Sequence, residues 1–150
     1  IDGCSAPNFA TPLAGLARAM ARFAVADPDT GPVRDRAAAR LRQAMIAHPE
    51  MVSGEGGACT RLMRAMGGRA ALKTGAEGVF TAILPDLGLG IAVKIADGAT
   101  RAAETTVAAL LVRLGVLDPA HPDARAFLHG PLRNRRGIEV GAYRPDASLF

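Results

Sequence analysis

Apolar residues recur along this chain with two periods, and the switch between them divides it into elements. Leu13, Leu16, Met20 and Phe23 follow Thr11-Pro12 at helical spacing. A hydroxyl residue before a proline is a helix opening, because the N–H that proline lacks would be unpaired there anyway. The pattern predicts a helix over 12–25, with Thr11 as its cap. The turn-forming run 27–32 follows, and a second helix over 33–47 sets Val33, Ala37, Leu41 and Met45 on one face. His48-Pro49 ends it, and 51–57 reads as a loop or lid. A short helix over 58–66 turns Cys59, Leu62, Met63 and Met66 inward and stops at Gly67-Gly68.

The period then shortens to two. A strand is expected near 69–73, followed by a hairpin of 78–84 and 89–95 across Pro85-Asp86-Leu87-Gly88. In its second strand Leu89, Ile91, Val93 and Ile95 share one face, and Gly90, Ala92 and Lys94 the other. Helical spacing returns over 99–114, where Ala103, Val107, Leu110, Leu111 and Leu114 form the stripe and Gly115 the stop. A short helix near 122–129 and an alternating edge strand over 138–143 complete the order. Strands joined by a short turn pair antiparallel, so the expected class is α+β, an antiparallel sheet covered by helices.

With 150 residues, 49% hydrophobic and 21% charged, the chain suffices for one domain and is too apolar for disorder. Aromatics are only 4%, so the core must be aliphatic. The formal charge of +4 is dispersed, and its one dense run, Arg133-Asn134-Arg135-Arg136, has no interleaved aromatic for base stacking. A solvated basic surface therefore outweighs a nucleic-acid module. Two cysteines make no disulfide framework, and no apolar run reaches membrane-spanning length. Neither a signal peptide nor an initiating Met opens the chain, so a cytoplasmic location is expected. The three histidines adjoin proline or glycine at helix ends and show no metal-binding spacing.

The candidate chemistry lies in Lys73-Thr74-Gly75, ahead of the strand 79–84, and in Asp2-Gly3-Cys4. A strand-edge lysine offers a cation for a carboxylate, the threonine a hydroxyl, and the glycine an approach unobstructed by a Cβ. Read from the residues alone, Lys73 is either a pocket cation or a solvated strand end. Asp2 is either an Asx-turn former or a carboxylate for a substrate ammonium. Glu77 is a turn residue or a partner for a pocket cation, and Cys59 belongs to the core.

Ile1 to Ala10, Lys73 to Phe80 and Gly90 to Gly98 together resemble the L-asparaginase II family, typified by the thermolabile rhizobial asparaginase. That family is similar in fold to the serine β-lactamases and glutaminases. The resemblance spans essentially the whole chain, which looks like the family's C-terminal half. It implies an amidohydrolase that cleaves L-asparagine to aspartate and ammonia through a serine acyl-enzyme, acting as a homodimer. The family's Ser-x-x-Lys nucleophile motif is absent here. The resemblance therefore implies an N-terminal segment outside this chain, against which the sheet and an apolar surface would pack. It also implies catalytic roles for Lys73 and Thr74, substrate contacts from Asp2 and Gly75, and zinc ligation by Cys4. The rival is a non-catalytic fragment or a small-molecule or partner-binding domain of the same fold.

Overall fold

The computed structural model describes residues 4–149. Among the described residues six α-helices and five strands follow in the order α1 (Leu13–Ala24), α2 (Val33–Ala47), α3 (Pro49–Ser53), α4 (Ala58–Ala65), β1 (Ala71–Gly75), β2 (Val79–Leu84), β3 (Leu89–Lys94), α5 (Thr100–Arg113), α6 (Pro122–His129), β4 (Pro131–Arg133) and β5 (Glu139–Ala142). The expected α+β class is what forms: an antiparallel sheet of order β1-β2-β3, with helices on both faces.

The central strand explains the layering. In β2 the run Phe80–Leu84 is buried throughout, so neither face meets water. Phe80, Ala82 and Leu84 face α4 and α5, where Leu62, Met63, Leu72, Val107 and Leu111 close an aliphatic core extended by Ala124 and Leu128 of α6. Thr81 and Ile83 face α1 and α2. The expectation of a sheet face left open for an absent segment is therefore not met among the described residues. Apolar surface remains instead on the outer side of α1 and α2.

That side departs from the periodic reading. On α2, Val33 and Leu41 are 73% and 59% exposed, and the helix buries Ala39 and Arg42 instead. The apolar stripe exists, but its Val33, Ala37 and Leu41 point outward and only Met45 packs against the core, while Arg42 is drawn inward to cap α1. Its guanidinium Nη1 donates to the carbonyls of Phe23, Ala24 and Ala26, satisfying acceptors that a helix C-terminus leaves unpaired. On α1, the large residues straddle the flank while alanines approach β3. A Cβ at Gly90 would collide with the backbone of Ala17, Met20 and Ala21, so only glycine permits this approach.

Smaller differences have local causes. Pro12, not Thr11, is the N-cap of α1, since its extended ψ of 145° sends its carbonyl to the N–H of Gly15 and Leu16. The segment expected as loop from residue 51 begins inside α3, which Pro49 opens at a first helical position. Residues 139–142 do not join the main sheet; they pair with β4, a three-residue strand too short to show a period. Gly115 (φ 68°) ends α5 as expected, through a Schellman pair in which Val116 N–H reaches Leu111 O and Gly115 N–H reaches Val112 O.

Candidate active site

Strand β1 carries Lys73-Thr74-Gly75 along one edge of the sheet. Lys73 pairs with Thr81, Thr74 with Phe80 and Gly75 with Val79. The following turn is of type I′: Glu77 and Gly78 both take positive φ, 57° and 70°, and Val79 N–H returns to Ala76 O. Glu77 is thus a turn residue. Gly78 is obligatory, since a Cβ there would lie 2.9 Å from Ile95 Cβ and 3.0 Å from the Gly98 backbone. Lys94 fastens the turn by donating its ammonium to the carbonyls of Glu77 and Ile95.

Alternation sends Lys73 and Thr74 to opposite faces. Lys73 borders a pocket of about 240 Å³ shared with Met20 and Phe23 of α1, Met45 of α2, and Ala71, Thr81 and Ile83 of the sheet. Its exposed Nζ donates to Thr74 O at 2.9 Å. One such bond leaves ammonium hydrogens for a substrate oxygen. The hydroxyl of Thr81 is buried in the same wall and donates to Lys73 O at 3.2 Å. Lys73 and Thr81 are the pocket's polar contributors. It supplies shape and desolvation more than the full set of contacts a zwitterionic amino acid requires.

Thr74 faces the α4–α5 side. Its N–H points out of the sheet edge and donates to Cys59 Sγ at 3.2 Å. Cys59 is fully buried, and burial pushes its thiol above the ordinary range. Its bond from Thr74, the Lys73 charge and a hydrogen bond from Ser53 work the other way. The expectation that Cys59 is core holds for its burial, yet the residue also touches the site strand. Nothing in the periodicity signals that contact. Near it on α5, Glu104 is half-buried; burial pushes its carboxyl up, with Arg61 partly offsetting the effect. Arg61 itself pairs with Asp123 at 2.6 Å and lies 4.8 Å above the Phe127 ring.

Cys4 lies in an exposed N-terminal stretch. Asp2 lies outside the described residues. The structure thus joins Lys73, Thr74 and Gly75 on one strand and adds Thr81 and Cys59. A thiolate suits zinc, but among the described residues no three His, Cys, Asp or Glu side chains gather as a metal site. Cys59 does not complete one, being buried and already engaged by Thr74. The basic run forms the β4–β5 turn, where Asn134 Oδ1 accepts from the N–H of Arg136 and Ile138, and its residues are exposed.

Among the described residues no helix is long and apolar enough to cross a membrane. A sequence model of the L-asparaginase II family matches residues 1–145, nearly the whole chain. No curated protein sequence matches it. The chain belongs to the L-asparaginase II family, a family of asparaginase-type amidohydrolases.

Proposed function

We propose that this member of the L-asparaginase II family takes part in hydrolysis of L-asparagine to L-aspartate and ammonia through a serine acyl-enzyme whose nucleophile lies outside these 150 residues. The observation that carries the reading is the family match combined with an intact Lys73-Thr74-Gly75 on a strand where Lys73 and Gly75 are exposed and Lys73 borders a pocket. In this scheme the serine oxygen attacks the side-chain amide carbon, ammonia departs, and water cleaves the resulting ester. Lys73 holds positive charge beside the reacting hydroxyl, favouring its deprotonation, or receives the substrate carboxylate; Thr74 adds a hydroxyl to the proton network. Gly75 and Asp2 contact the substrate. Cys4 is proposed as one zinc ligand, with the others outside the described residues, and no chemical step is assigned to the metal. A homodimer in the cytoplasm completes the reading.

The test is ammonia release by the whole enzyme carrying Lys73→Ala. Loss of a positioned charge beside the reacting oxygen lowers turnover by about 10²-fold or more, while the melting temperature stays near wild type because an exposed ammonium contributes little packing. Full turnover in the variant removes Lys73 from the mechanism. An intact wild-type protein that releases no ammonia from asparagine supports the rival, a binding domain without catalysis.

A further inference from the structure

The outer edge of β1 is closed by two sulfur atoms. Leu72 N–H donates to Met63 Sδ at 3.3 Å, and Thr74 N–H donates to Cys59 Sγ at 3.2 Å. The match is geometric. Four residues of helix rise about 6 Å, and two residues of strand advance about 6.6 Å. A helix laid along a strand edge can therefore offer acceptors at i and i+4 to alternate outward amides. Both sulfurs are buried, at 0% for Cys59 and 2% for Met63.

Helix α4 is itself anchored from behind. Thr60, also at 0% exposure, directs its hydroxyl at the carbonyls of Pro49 (2.9 Å) and Gly54 (2.7 Å), and Arg64 grips Glu55 at 2.7 Å. The line continues into the site, because the peptide whose carbonyl receives Lys73 Nζ follows the residue whose amide Cys59 holds.

We propose that Cys59 is a positioning residue that sets the Lys73-Thr74-Gly75 segment by holding the Thr74 amide. Met63 makes the equivalent bond one pleat earlier, at Leu72, without bearing on the site. The inference rests on reading Lys73–Gly75 as part of the asparagine-hydrolysing centre. A thiol suits the task because sulfur accepts at a longer distance than oxygen, so Cys59→Ser must draw the strand inward or leave the bond stretched. Cys59→Ala leaves the part-buried Thr74 N–H without its acceptor.

The experiment compares Cys59→Ala, Cys59→Ser and Met63→Leu in the whole enzyme. Two readouts are needed: kcat/KM for asparagine, and exchange rates of the Thr74 and Leu72 amides by NMR. Misplacing a reacting group by a fraction of an ångström lowers kcat/KM by about tenfold to a hundredfold in Cys59→Ala. Cys59→Ser recovers part of that loss. Met63→Leu accelerates Leu72 exchange but stays within about twofold of wild type in kcat/KM, since the segment it frees touches no substrate. Equal activity loss in Cys59→Ala and Met63→Leu would reduce both sulfurs to packing and overturn the proposal. Unchanged Thr74 exchange in Cys59→Ala would overturn it as well. Should the wild type hydrolyse no asparagine, the functional reading fails separately. The amide exchange and the Lys73 side-chain NMR shifts then decide whether Cys59 holds the segment: movement in Cys59→Ala alone supports the proposal, and movement in neither or in both overturns it.

Discussion

Replacing Arg42 by methionine should cost the fold about 3 kcal/mol, working from what one guanidinium nitrogen does at the end of α1. Arg42 is 9% exposed, and its Nη1 faces three carbonyls: Phe23, Ala24 at 2.8 Å and Ala26 at 3.3 Å. That nitrogen carries two hydrogens, so the three contacts amount to two full bonds. Each bond from a charged donor contributes about 1.5–3 kcal/mol, and the desolvation relieved by removing a buried charge offsets part of the sum. Methionine preserves the stem's packing and deletes the donor. With a urea slope of about 2 kcal/mol per molar for a domain of this size, the unfolding midpoint should fall by about 1.5 M. Arg42→Lys retains a charge but no planar fork, and should recover only part of the loss. Because Phe23 also lines the pocket beside Lys73, the same variant should raise KM for the substrate. A midpoint shift below about 0.25 M, equivalent to roughly 0.5 kcal/mol, would refute the capping argument.

Glu104→Gln tests the electrostatics. Burial raises the carboxyl above the ordinary glutamate value of 4.5, so its ionised form is penalised in the folded protein as pH rises through the raised value. The amide variant should therefore melt higher than wild type near neutral pH, and the difference should shrink as pH falls through the raised value and vanish below the ordinary one. A gain that ignores pH would assign the effect to packing instead. For the metal, elemental analysis of the whole protein should find about one zinc per subunit, with less in Cys4→Ser and less at acidic pH, since a thiol must lose its proton to bind. Zinc content unchanged in the variant would make Cys4 an ordinary thiol.

What the amino-acid order determined here is whatever depends on near neighbours along the chain. The stripe of α5, the Gly115 stop and the inward face of α4 are set by local sterics and by a period that only one conformation can use. So are the β2–β3 hairpin and the left-handed Glu77-Gly78 turn, and Lys73-Thr74-Gly75 could be placed at a strand edge for the same reason. The tertiary structure decided which surfaces meet. Val33 and Leu41 share a helical face with Met45, yet only Met45 packs inward and the other two stay exposed, while Arg42, three residues before Met45, is turned in to the end of α1. Gly90 looks like an ordinary strand glycine until the backbone of α1 is laid against it. Residues 139–142 alternate like an edge strand, but alternation does not name a partner, and the partner is a three-residue strand beside them. Cys59 reads as a small buried hydrophobe because burial is all that helical spacing reports. That its sulfur receives the Thr74 amide follows from the distance between a helix and a strand edge, a quantity no local pattern contains.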